Sequence, residues 1–208
     1  MLKDGSIEVR CPKGTSKQFI DDFIAQKHDW IEKMSIRNQT MFEEKNNFRL
    51  GIGSKILFLG KEYPLSVSNR NSYGFDGDEF YVPPSFNSEQ IRQCIISLYK
   101  NLAYKVITAK IAEIAPQMHT KPSAVKINSA KTRWGSCSGK NSLNFSWKLI
   151  MADERAVDYV IVHELAHTFE HNHSERFWTI VEKVMPDYKQ RRTLLEIVQK
   201  KLSKENWE

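Results

Sequence analysis

Cysteine is scarce in this chain of 208 residues, long apolar runs are missing, and nothing hydrophobic opens it. The three cysteines, Cys11, Cys94 and Cys137, are widely spaced, odd in number and in no CxxC pair. This argues against a disulfide framework or a cysteine-based zinc finger, and a reducing cytoplasm is expected. No apolar run exceeds four residues, 159–162 being one such run, so no membrane-spanning segment is expected. Lys3, Asp4, Glu8 and Arg10 follow Met1 with no apolar stretch between them, against a cleaved signal peptide. What is present is an ordinary globular balance, 40% hydrophobic and 27% charged, long enough for about 1.4 average domains. A net charge of +6 leaves a polyanionic partner open without requiring one.

Two regions are read along the chain, 1–85 and 86–208. In the first, Thr15 and Gln18 have capping-box spacing, and apolar residues from Phe19 to Met34 follow at helical intervals, which predicts a helix over 17–36. Short β-prone runs at 55–59, 63–67 and 79–82, separated by Gly60, 69–71 and Asp76-Gly77, predict a small meander closed by Pro83-Pro84. In the second, Ser88 is expected to cap a long helix whose apolar stripe is Ile91, Ile95, Leu98, Leu102, Val106 and Ala109, with Pro116 ending it. Strands are expected at 125–128 and 143–150, flanking an irregular segment at 133–137. Asp153 is a candidate N-cap for a helix apolar on nearly all sides, through Ala156, Val157, Val160, Ile161, Val162, Leu165, Ala166 and Phe169. Further helices are expected from Ser174 to Pro186 and from Asp187 onward. The fold class that results is α+β.

The apolar helix is interrupted by three polar residues, His163, Glu164 and His167. Residues four apart lie one turn along the same face, so the two imidazoles can grip one cation. Glu164 lies to one side, able to take a proton from water held there. This is the HExxH arrangement of a two-histidine zinc site with a general base. Chance produces the string in roughly one chain in a hundred of this length. Burying three ionisable groups without a partner costs several kcal/mol, and a metal satisfies them. A catalytic zinc takes three protein ligands and an open position. His171 and His173 both stand ready as the third ligand, with Glu182 more distant; His28 and His119 are given no role.

The stretch 133–137 (RWGSC), Asp158-Tyr159-Val160, the HELAH of 163–167, Asn172-His173-Ser174, Phe177-Trp178 and Pro186-Asp187-Tyr188 together resemble the YgjP-like family of metal-dependent hydrolases, related to the SprT and WLM zincins. The resemblance implies a zincin-like core with the HExxH helix beneath a mixed sheet, a sheet edge able to hold a substrate chain, and one zinc per chain on His163, His167 and His173. It implies a zinc-dependent metallopeptidase acting on peptides or protein segments. A nucleotide phosphohydrolase and a DNA-associated SprT-like protease are the alternatives.

Helix geometry favours His173 over His171 independently. Cα atoms at 163, 167 and 171 on one helix would span about 12 Å in a row, which ligands of one tetrahedral ion cannot do. The chain must therefore reverse, with Asn172 expected in the left-handed conformation and Ser174 capping the next helix. Arg133 is read as an oxyanion or substrate-anion clamp, or else as an ion pair to the following helix. Trp134 and Trp178 are read as core, Gly135 as permitting a turn, and Cys137 as a structural thiol. Asp158 is expected to orient a histidine or cap a loop. The basic residues Lys183, Lys189, Arg191, Arg192, Lys200, Lys201 and Lys204 alternate with acids, so nucleic-acid binding is expected to be weak and ion pairing to dominate. Oligomeric state is left open.

Overall fold

The computed structural model describes residues 8–69 and 71–207. Lys3 and Asp4, and Arg70 within the expected turn at 69–71, lie outside the described residues. The chain divides into two compact units: Met1–Phe48, Lys201–Asn206 and Glu208 form one, and Arg49–Lys200 with Trp207 the other. The 85/86 boundary expected from sequence falls within the larger unit. Among the described residues no helix is long and apolar enough to cross a membrane.

The smaller unit holds α1 (Lys17–Gln26) and α2 (His28–Asn47). One helix over 17–36 was expected; two are found, parted at Lys27, where no glycine or proline gives warning. The cap of α1 is Ser16, whose hydroxyl accepts from the Phe19 amide, while the Thr15 hydroxyl donates to the Pro12 carbonyl. Lys204 pairs with Glu44 in the same unit at 2.8 Å.

The larger unit begins with β1 (Lys55–Phe58), β2 (Lys61–Val67), β3 (Gly74–Phe75) and β4 (Phe80–Val82), in spatial order β1-β2-β4-β3. This corrects the meander, because β2 and β4 run parallel. Burial explains the exchange: Phe80 and Val82 are fully buried, so β4 takes the interior place beside Leu65, and the two-residue β3 is left at the edge. Leu59 and Gly60 both adopt positive φ in the β1–β2 turn. At Gly60 a Cβ would stand 2.8 Å from the Asp153 Cα, so glycine lets the hairpin press against the start of the metal-site helix.

Next comes α3 (Ser88–Gln117), capped by Asn87 in a reciprocal box with Gln90 rather than by Ser88. Its buried stripe is Ile91, Ile95, Tyr99, Ala103, Ile107, Ile111 and Ala115. The expected Leu98, Leu102 and Val106 flank it half-buried, and Ala109 is exposed. Tyr99 is the residue that turns the stripe: its ring stacks on Trp147 and its hydroxyl donates to the Leu57 carbonyl at 2.6 Å. Trp207 closes on both rings edge-on.

The second sheet contains β5 (Ala124–Asn128), β6 (Gly135–Cys137) and β7 (Ser142–Ser146), in order β5-β7-β6, with β5 parallel and β6 antiparallel to β7. Part of the expected irregular segment is thus an edge strand. The strand expected through Ile150 stops at Ser146, and Trp147–Met151 coil into a 3-10 helix. Trp147, Leu149, Ile150 and Met151 are all buried there, which the alternation of a half-solvated strand could not achieve. Then follow α4 (Glu154–Ala166), α5 (Glu175–Val184) and α6 (Tyr188–Leu202), the first two capped by Asp153 and Ser174 as expected.

Asp158 does neither of the things expected of it. It meets Lys110 of α3 at 2.7 Å and Arg191 of α6 at 3.7 Å, and Lys110 also meets Glu154. Arg191 further pairs with Asp187. These partly buried charges tie three helices together outside the histidine cluster. Asp158→Asn should cost about 1–2 kcal/mol in urea denaturation, between the values for exposed and buried pairs, while affinity for a divalent metal stays as in the parent. A large loss of metal affinity at unchanged stability would instead give Asp158 a role at the histidines.

Candidate metal centre

α4 owes its position to its apolar surface, which is buried over Ala156, Val157, Tyr159, Val160, Ile161, Val162, Leu165 and Ala166. It ends sooner than its apolar pattern reads. The amide and hydroxyl of Thr168 both donate to the Leu165 carbonyl, and Phe169, expected in the core, is 45% exposed beyond the helix end. Asn172 is not in the left-handed conformation. Its side chain accepts from the Ser174 amide, a tight Asx turn that reverses the chain without positive φ.

That reversal brings His173 back to the helix. The ligand atoms of His163, His167 and His173 lie within 4.8 Å of one another, and the Nε2 atoms of His163 and His173 are 3.1 Å apart. His171 is exposed and outside the cluster. The His167 Nδ1 lies 2.9 Å from the Glu170 carbonyl; a proton on Nδ1 satisfies that oxygen and leaves Nε2 as the free donor. Burial, with the neighbouring His167 and His173, drives the His163 ring down to about 3, and burial lowers His167 as well. Both rings are therefore neutral near pH 7, the form that binds a metal.

Four aromatic residues, none of them expected to support the histidines, complete the frame. Phe177 is fully buried with its centroid 4.5–4.9 Å from all three imidazoles. Trp178, expected to be plain core, stacks on His173 on one side and on Tyr188 on the other, and Tyr188 stacks in turn on Tyr159. The available signal was spacing, since Phe177 and Trp178 follow His173 by one helical turn.

Glu164 is 4% exposed, and its Oε2 is buried without a hydrogen-bond partner. Gly135 explains how it fits: a Cβ there would lie 2.5 Å from Glu164 Oε1 and 2.7 Å from its Cγ. Gly135 lies within a strand and not at a positive-φ turn, so the expected reason for glycine is replaced by close approach of a carboxylate. Burial raises the Glu164 carboxyl to about 8, opposed by the field of the exposed Arg133 guanidinium. Among the described residues Arg133 makes no ion pair with the start of α4. Cys137 on the same strand is half-buried, and burial and then Glu164 push its thiol up. It is not among the grouped ligand atoms. Three imidazoles converging beside an orphaned carboxylate oxygen suit a divalent cation that keeps one position open.

The Glu164 shift has a thermodynamic consequence. A folded-state value near 8 against an ordinary 4.5 means that folding favours the protonated carboxyl. The corresponding stabilisation is complete below about 4.5 and is lost as pH rises through about 8. In chelator-treated protein, Glu164→Gln should therefore gain on the parent as pH goes from about 5 to about 9, by a few kcal/mol. Thermal melts at both ends test this, and a difference that does not change with pH would remove the buried-carboxyl account.

Two solved structures are similar to this chain in part. The metallopeptidase zymogen abylysin of Pyrococcus abyssi is 21% identical with a TM-score of 0.39, over 50% of this chain and 98% of that one. The metallopeptidase zymogen jannalysin of Methanocaldococcus jannaschii is 25% identical with a TM-score of 0.39, over 45% and 95% respectively. No curated protein matches the chain. The profile of the YgjP-like, metallopeptidase domain family matches residues 1–197, which takes in every residue of the histidine cluster, Glu164 and the strand against which it packs. The chain belongs to the YgjP-like metallopeptidase family.

Proposed function

We propose that this protein is a zinc-dependent peptidase in which His163, His167 and His173 hold one zinc per chain and Glu164 is the general base. The observation that carries the reading is the convergence of three imidazoles beside a buried carboxyl with an oxygen that no group satisfies. Donors at 2.0–2.1 Å from a tetrahedral ion stand about 3.3 Å apart, close to the 3.1 Å between His163 and His173. When bound, zinc would lower the pKa of water toward neutrality and polarise the scissile carbonyl.

The chain's own residues then do the following. Ionised in the field of a bound cation, which offsets the burial that raises its carboxyl in the metal-free protein, Glu164 accepts a proton from the attacking water at Oε2, which has no partner to give up, and returns it to the leaving amine. Arg133 is exposed yet near enough to act on Glu164, and it stabilises oxyanion charge or draws in a substrate carboxylate. Edge strand β6 holds the substrate. Trp134 and Ser138 direct backbone groups to β7, so by antiparallel alternation Ser136 does likewise and Gly135 and Cys137 turn theirs outward. An extended peptide can pair with those groups directly beside Glu164, which favours peptide over nucleotide as substrate. A cytoplasmic location is part of the proposal, and three widely spaced cysteines that form no pair support it.

Glu164→Gln should retain the fold and zinc but lower turnover of a confirmed peptide substrate at least about a hundredfold, the usual worth of a general base. Parent-like turnover would remove Glu164 from that role. In a competitive chelator titration the parent should saturate at one zinc, His173→Ala should weaken binding by orders of magnitude, and His171→Ala should change little. The opposite ranking of the two variants would refute the ligand set.

A further inference from the structure

A concavity lies on the larger unit, and neither Glu164 nor any of the three clustered histidines lines it. It has a volume of about 530 Å³, within the range of small-molecule sites. Met118, Phe169, Ile180 and Val184 give it an apolar lining, and Arg176 and Lys183 are the charged residues on it. Gln117 and His119 complete the lining, and no carboxylate contributes. On α5 the contributing residues are 176, 180, 183 and 184, spaced to share one face, with both cations about one turn from Ile180.

Three observations set this concavity apart from an incidental surface groove. Among the described residues neither Arg176 nor Lys183 is ion-paired, whereas Arg191, Arg155 and Lys110 in the same unit all have carboxylate partners. Phe169 is 45% exposed there, though the apolar pattern of its helix would place it inside. The wall opposite α5 is fixed in an uncommon conformation: His119 has φ 54°, its amide donates to the Pro116 carbonyl, and the next residue, Thr120, is tied to Thr168 through their hydroxyls at 2.7 Å.

We propose that this concavity is a binding site for a carboxylate carrying an apolar group, the apolar part against Met118, Phe169, Ile180 and Val184 and the carboxylate between Arg176 and Lys183. Two unpaired cations beside an apolar floor match that ligand and reject both an uncharged hydrocarbon and an apolar cation. A fatty acid and the C-terminus of a peptide ending in an apolar residue present the same chemistry. The site does not depend on the metal or on Glu164, so its failure would leave the peptidase reading untouched.

The test is a titration of the zinc-loaded full chain, labelled at isoleucine methyl groups, followed by NMR. The probes are decanoate, decanol, and N-acetyl-leucyl-phenylalanine with its carboxylate free or amidated. One or both carboxylates should bind saturably and shift the Ile180 methyl, at least about fivefold more tightly than their uncharged counterparts. Tighter binding of decanoate identifies a fatty acid, and tighter binding of the peptide acid a C-terminus. Arg176→Gln with Lys183→Gln, two exposed substitutions, should abolish the preference for the charged probes, and Ile180→Trp should block both. No saturable shift at millimolar probe, equal affinity for charged and uncharged probes, or binding indifferent to the double variant would each overturn the proposal.

Discussion

The site depends on one steric constraint, the contact of a buried carboxylate with a strand that has no side chain to offer it. Glu164 is 4% exposed and lies where a Cβ on Gly135 would stand 2.5 Å from its oxygen. Everything near the cluster follows from letting that happen. β6, the strand on which Glu164 packs, lies at the edge of its sheet. α4 must be apolar on its other sides, since only extensive burial of a helix, at about 25 cal/mol per Å² of apolar surface, offsets the cost of holding an ionisable group inside. Asp153, pressed by the Gly60 hairpin, fixes where that helix starts and thus where its histidines fall.

What could be read from the sequence was what is local. The two imidazoles four residues apart, the caps Asp153 and Ser174, and the long helix after residue 87 are signals written within a few residues. His173 was legible too, because helix geometry alone forbids His171 from joining the other two. The misreadings are non-local. Nothing near Phe80 says that β4 will lie beside β2 in parallel, since the reason is burial against Leu65 and Tyr99. Nor does the apolar run at 147–151 distinguish a strand from a 3-10 coil. Gly135 was recognised as special for the wrong reason, because the atom it makes room for is twenty-nine residues away in sequence.

Asp158 illustrates a different limit. A carboxylate five residues before a histidine invites a role at the metal, but five residues on a helix is about 140° around, toward another face. There it meets Lys110 and Arg191, and it belongs to the electrostatics of helix packing. The basic residues of the last helices divide similarly. Arg191 and Lys204 are engaged by acids, as their interspersed pattern implied, while among the described residues Arg176 and Lys183 have no ion-pair partner.

The remaining question is how an exposed histidine on a short loop stays aligned with two held on a helix. His173 has no cap and no carboxylate; it has rings. Trp178 stacks on its face, Tyr188 on Trp178, and Tyr159 on Tyr188, which returns the column to α4 one turn before His163. Each such contact is worth about 0.5–1.5 kcal/mol beyond its burial. Three in series approach the cost of ordering one loop residue and its side chain, about 1–4 kcal/mol. Phe177 adds a floor common to all three imidazoles. The cluster is therefore assembled by the fold itself, unlike a zinc finger, where metal binding and folding are one event. A cation arriving there does not have to order the loop, and the buried carboxyl of Glu164 beside it is already in position.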